Sequence, residues 1–236
     1  MDSSGFIKID NKELFSIFTD AGSKKLVIFC HGFRGDSTGP NRYFVRLTRK
    51  LKEKGISSLR FDQYANGNSE GDFENASFNN WVDTTLFLVN KYLNLGYEVS
   101  LLGQSMGGSC AIVTGSKLGN KLSSIVAWTP GVIIDKPNTQ GKYMYESGQR
   151  VKWKFWEEAY NAKISECFTK LKVNTYTIFA TNDEYVPLKD QEIIIKSAKS
   201  YQKIDILKGE VHSKWAYETS EKVINNTANF LSSNFK

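Results

Sequence analysis

The segment Leu26-Val27-Ile28-Phe29-Cys30 is an unbroken apolar run, too short for a helix and too uniformly apolar for a strand with one wet face. Strands of this type belong to sheets buried on both sides, and further runs recur along the chain, separated by stretches of helical spacing. Ile56 to Phe61, Val99 to Leu102, Ser124 to Trp128, Tyr176 to Ala180 and Ile204 to Leu207 read as strands. Between them lie predicted helices from Pro40 to Lys54, where Pro40 suits a first turn and Gly55 a C-cap, and from a Ser77 cap to Gly96. Others run from Met106 to Leu118, Pro187 to about Lys199 and Lys214 to Leu231, and Phe6 to Ile9 with Leu14 to Thr19 reads as an opening hairpin across Asp10-Asn11. Strands alternating with helices predict an α/β fold, a mostly parallel sheet with helices on both faces.

The chain has 236 residues, which suits one undivided domain, 1–236. One stretch breaks the rhythm. From about 131 to 173 no strand and helix alternate, and Tyr143, Tyr145, Trp153, Phe155, Trp156 and Tyr160 crowd a mixed polar segment, expected to be an insertion over the carboxyl edge of the sheet.

Composition removes several classes. With 40% hydrophobic and 24% charged residues the chain is neither disordered nor fibrous. No apolar run approaches the ~18 residues that span a bilayer, and residues 1–5 lack the pattern of a secretory leader, so a cytoplasmic protein without membrane insertion is expected. Three cysteines, Cys30, Cys110 and Cys167, at wide spacing read as reduced thiols, with no disulfide framework and no metal set. The net charge of +6 comes from basic residues scattered among acids, so no nucleic-acid partner is expected.

Chemistry concentrates at Gly103-Gln104-Ser105-Met106-Gly107. A G-x-S-x-G between a strand and a helix is the context for a strained turn that lifts a serine hydroxyl clear of the sheet, with glycines where a β-carbon would clash. Serine is a poor nucleophile until a base takes its proton, and the chain has only His31 and His212. His212 lies in a loop after the last strand, on the edge where catalytic groups collect in open α/β sheets, and is the expected base. The base needs an acceptor on its second ring nitrogen. Asp183, just beyond Tyr176–Ala180, is better placed than Glu184 or Asp190, and the order Ser105, Asp183, His212 follows.

These residues, together with His31-Gly32-Phe33, Phe61-Asp62, the loop Gly67-Asn68-Ser69-Glu70-Gly71, Asn182 to Pro187 and Val211-His212-Ser213, resemble the α/β-hydrolase superfamily. Within it the chain is similar to small bacterial serine esterases, which include cinnamoyl and feruloyl esterases and monoacylglycerol-lipase-like enzymes. The resemblance implies eight strands with the second antiparallel, and a small cap made by the insertion. It implies one oxyanion donor in the amide of Phe33 and another in that of Met106. Met106 also has a physical basis, because unpaired N–H groups and the positive dipole end gather at a helix N-terminus. The loop after the fourth strand departs from the family, with Asn66-Gly67-Asn68-Ser69 where a Gly-His-Gly-x-Ser type is common.

The expected activity is cleavage of a small-molecule carboxylic ester through an acyl-enzyme on Ser105, without cofactor or metal, by a monomer or homodimer. Trp153, Phe155 and Trp156 are candidates for the acyl or aryl site. A thioesterase, peptidase or acyltransferase would use the same residues, and a non-catalytic binding protein of this fold would normally have lost one of them.

Overall fold

Neighbouring residues of the first apolar run belong to different cores. In β3 (Lys25–Cys30) Leu26 and Ile28 face one hydrophobic cluster and Val27 and Phe29 the other, as the two-residue period of a strand requires. The computed structural model describes residues 2–137 and 142–236. Its main sheet also contains β1 (Asp2–Ile9), β2 (Lys12–Thr19), β4 (Ser57–Phe61), β5 (Glu98–Gln104), β6 (Ser124–Trp128), β9 (Asn174–Ala180) and β10 (Gln202–Leu207), with β7 (Tyr143–Glu146) and β8 (Gln149–Lys152) forming a separate hairpin. The order is β1-β2-β4-β3-β5-β6-β9-β10. β2 runs antiparallel to both neighbours and every other pairing in this sheet is parallel.

Helices α1 (Tyr43–Glu53) and α7 (Tyr217–Ser233) cover one face, burying Phe44, Leu47 and Leu51 with Val223, Ile224 and Leu231. The other face lies under α2 (Phe78–Asn94), α3 (Met106–Leu118), α4 (Lys154–Asn161), α5 (Ile164–Lys170) and α6 (Leu188–Ser197). The opening hairpin turns at Asp10-Asn11, both with positive φ, as a two-residue hairpin loop demands. Ser77 caps α2 as expected, accepting from the N–H of Asn80 at 3.2 Å.

Two elements differ from the sequence reading. The helix expected from Pro40 starts three residues later, because Asn41 and Arg42 take left-handed φ of 49° and 60° after a short 3-10 turn. Tertiary anchoring sets this start: the Tyr43 ring stacks on Trp215 at 5.1 Å, and its hydroxyl accepts from the Trp215 N–H and donates to its carbonyl. The expected insertion, whose residues 138–141 lie outside the described ones, has order of its own. Its hairpin turns at Ser147-Gly148 with two positive φ angles, and α4 follows. Its last part is no cover of the carboxyl edge, since α5 packs against α3 and sends Phe168 into the core under the sheet.

Candidate active site

Ser105 sits between β5 and α3 with φ 54° and ψ −126°, a conformation that L-residues avoid. The turn is tight enough that a β-carbon at Gly103 would come 2.1 Å from the carbonyl oxygen of Gly107, and one at Gly107 would come 2.1 Å from that of Cys30. Both glycines are therefore required by close backbone approach. The Ser105 N–H donates to the Trp128 carbonyl at 2.8 Å, which fixes the turn to β6. The next amide, that of Met106, opens α3 and has no acceptor among the described residues, and neither has the amide of Phe33.

Three remote segments meet at the serine hydroxyl. His212 Nε2 is 2.8 Å from Ser105 Oγ, and its Nδ1 is 2.9 and 2.8 Å from the two oxygens of Asp183. With Asp183 as acceptor, Nδ1 carries the proton and Nε2 is left to accept from the serine. Asp183 Oδ1 also accepts from the N–H groups of Tyr185 and Val186, which hold the carboxylate in a turn rather than as a cap of α6. The His212 loop is tied down in turn: Thr129 Oγ1 donates to the His212 carbonyl at 2.9 Å, and the His212 N–H donates to Glu184 at 3.3 Å. The side chain of Asp183 is fully buried and that of His212 is 9% exposed.

The second histidine serves the neighbouring loop. His31 Nε2 accepts from the N–H of Gln63 at 2.9 Å, so Nδ1 carries the proton and donates to the carbonyl of Gly32 at 2.8 Å, orienting the peptide that precedes Phe33. Burial lowers the His31 pKa, opposed by its bond to Gly32. Gln104 Nε2 meanwhile donates to Ser213 Oγ at 2.5 Å, linking the turn to the residue after His212. Sequence reading assigned no role to Gln104, Ser213 or Thr129 and weighed Glu184 only as an alternative acid, because the bonds they make here reach loops distant in sequence. It also assigned no role to Tyr185, whose ring lies 5.0 Å from that of His212, although the Asn182 to Pro187 stretch containing it was among those that carried the resemblance.

The aromatic candidates separate. Phe155 and Trp156 stand 5.0 and 4.9 Å from the Phe33 ring. Phe155 is wholly buried and also contacts Phe78 and Trp81 of α2, whereas Trp156 is half-buried. Trp153, at the start of α4, makes none of these ring contacts. Among the described residues no three His, Cys, Asp or Glu side chains are grouped to hold a metal ion, and no helix is long and apolar enough to cross a membrane.

A sheet of this order with a serine on the turn after β5 and an acid and a histidine after β9 and β10 defines an α/β hydrolase. The chain belongs to the hydrolase family described as serine aminopeptidase, S33, whose model matches residues 21–161, more than half of its length. Among solved structures it is similar to Est1E of Butyrivibrio proteoclasticus with ferulic acid bound, at 21% identity and a TM-score of 0.88 over 98% of each chain. It is also similar to the Paleococcus ferrophilus monoacylglycerol lipase, at 18% identity and a TM-score of 0.81 over 94% of this chain and 100% of that one. A Mycoplasma genitalium protein named as an esterase/lipase is 29% identical over 109 residues, a match that spans 45% of this chain and 38% of that protein.

Proposed function

We propose that the protein hydrolyses carboxylic esters of small molecules by two-step acyl transfer. The observation that carries this is the unbroken line from Asp183 through His212 to Ser105, with both links at 2.8 Å. His212 takes the Ser105 proton as Oγ attacks the ester carbonyl. The amides of Phe33 and Met106 receive the oxyanion, and the alcohol leaves with the proton from His212. Water then enters by the same route, His212 again acting as base, and the acid is released with Ser105 restored. Asp183 holds the ring and stabilises the imidazolium formed in each step.

The names of two similar proteins, an esterase/lipase and a monoacylglycerol lipase, and the ferulic acid bound to a third support an ester over other acyl substrates. The family description favours peptides as a second reading. The two part on one comparison, p-nitrophenyl butyrate against an aminoacyl p-nitroanilide: the ester is expected to be cleaved and the anilide left intact, and cleavage of the anilide would favour the peptidase. Within the insertion, β7, β8 and α4 act as the cap, with Trp156 beside Phe33 at the apolar wall, Phe155 packed behind them and Trp153 at its margin. The free thiols of Cys30, Cys110 and Cys167 suit a cytoplasmic setting, where thiols stay reduced. Fluorophosphonate labelling followed by peptide mapping tests the centre of the proposal. A single adduct is expected on Ser105, abolished in His212→Ala, and an unlabelled Ser105 in folded protein would refute the mechanism.

A further inference from the structure

Strand β1 stands first in the sheet order, so only one of its edges is paired. The hairpin determines which backbone groups face outward. In its register Ile9 lies opposite Lys12, Ile7 opposite Leu14, Gly5 opposite Ser16 and Ser3 opposite Phe18, and a two-residue loop closes on a hydrogen-bonded pair. The N–H and C=O groups of Ser3, Gly5, Ile7 and Ile9 therefore point at β2. The far side of β2 agrees, because its Glu13 and Phe15 carbonyls accept from the N–H groups of Glu70 and Asp62, away from β1. The outer edge is left to Asp2, Ser4, Phe6 and Lys8, all of them exposed.

An open edge of eight residues is a template for another strand. We propose that β1 is the interface of a homodimer, in which a second copy adds its own β1 antiparallel about a two-fold axis at Gly5, so that the two eight-stranded sheets run on as one. Backbone parity restricts the register. With the axis at Gly5, Asp2 lies opposite Lys8 of the second copy and Ser4 opposite its Phe6, and by symmetry the reverse, which engages every outward N–H and C=O of both strands. A slip that changes this parity sets outward groups against inward ones. The nearest slips that keep it either take Lys8 out of the paired region or set Asp2 against Asp10 of the second copy, a like charge in a turn.

Side chains favour the same register. Lys8 forms no ion pair among the described residues, and Asp2 has one exposed contact, with Lys52 at 3.6 Å, so each end of the interface gains an opposite charge. A parallel arrangement in register would instead set Asp2 beside Asp2 and Lys8 beside Lys8. Phe6 is 59% exposed and leans edge-on against Phe15 at 5.8 Å. Across the axis the two Phe6 rings are diagonal neighbours, within aromatic reach, and cover each other. Gly5 meets its own copy at a non-hydrogen-bonded position, where Cα atoms approach to about 4.5 Å, and the site has open space for a β-carbon.

Sedimentation velocity of the full chain tests this, and at ~100 μM a mass twice that of one chain is expected. Ser4→Pro removes one outward donor and no bond inside the chain, and Lys8→Glu sets like charges face to face; each should weaken the dimer at least tenfold with the circular dichroism spectrum unchanged. Lys8→Glu alters only an exposed side chain, so it keeps the test open if Ser4→Pro fails to fold. Asp2→Lys should also be monomeric alone, yet an equimolar mixture of Asp2→Lys and Lys8→Glu should associate, because every facing pair then has opposite signs. Register is read with cysteines in a Cys167→Ser background. After oxidation with diamide, Gly5→Cys should link two chains, since that position suits a disulfide, and Ser3→Cys should not. A monomeric full chain, or a dimer unmoved by both Ser4→Pro and Lys8→Glu, would overturn the interface. Linkage through Ser3→Cys and not through Gly5→Cys would overturn the register.

Discussion

Ser105 holds its hydroxyl at a backbone geometry that glycine adopts without strain, and the price is local stability. Ser105→Gly should therefore raise the melting temperature, by ~2–4 °C for about 1 kcal/mol, while losing activity. Ser105→Ala keeps a β-carbon and should gain less. On a simple aryl ester Ser105→Ala and His212→Ala should each lower kcat by about 10³ or more, with little further loss in the double variant, because the residues act as a unit. Asp183→Asn should be damaging and Asp190→Asn harmless, read in the same assay. His31 offers a test that does not depend on catalysis. Its folded pKa is lowered by burial, so the unfolded chain takes up a proton that the folded one resists. Stability should be intact above the unfolded value of ~6.5 and fall as pH drops below it, by up to ~1.4 kcal/mol per unit for this one group. Urea midpoints at pH 7.5 and 5.5 measure this, and His31→Asn should show a shallower drop. Of the residues brought together here, Ser105, Asp183 and His212 were legible in the sequence because each lies in the turn or loop that follows a strand of recognisable pattern. Thr129, Glu184 and Ser213 were not, since a single bond across 28 to 109 positions leaves no local trace.

Among elements, α4 has two attachments that should respond differently. Glu158 accepts from Ser77 Oγ and from the N–H of Asn79, joining α4 to the first turn of α2. Ser77→Ala removes both the cap and this bond and should cost about 1–2 kcal/mol in thermal or urea unfolding. Phe155→Ala empties a fully buried site and should cost ~3–5 kcal/mol. Trp156→Ala, at a half-buried position beside Phe33, should instead alter selectivity. The ratio of kcat/KM between feruloyl or octanoyl and acetyl esters should change by about tenfold, or ~1.4 kcal/mol. A uniform loss with a lowered melting temperature would mark Trp156 as packing. The strands of the main sheet were readable because burial on both faces leaves continuous apolar runs. The β7–β8 hairpin was not, because its strands have four residues each and are mostly polar on the outside, and the Ser147-Gly148 turn was the one signal available. The late start of α1 was hidden for a different reason, since the contact that sets it lies 172 residues away.

At the level of the whole molecule, strand order is what sequence pattern could not supply: alternation implies parallel pairing but not that β3 sits between β4 and β5. That order also divides the sheet. β1 to β6 form one contiguous block, and β9 and β10 add to its β6 edge. Residues 1–171 expressed alone should keep that edge unpaired and expose the surface that α7 covers, and should bind hydrophobic dyes and aggregate where the full chain does not. The same division has a consequence in time. Ser105 belongs to the first block and His212 lies 107 residues further on, beyond the strand that completes the sheet. On a ribosome adding ~5–20 residues per second, Ser105 emerges about 5–20 s before His212. On the proposed mechanism, the nascent chain carries through that interval a serine turn without its base, so ester cleavage would wait until the last strand is in place.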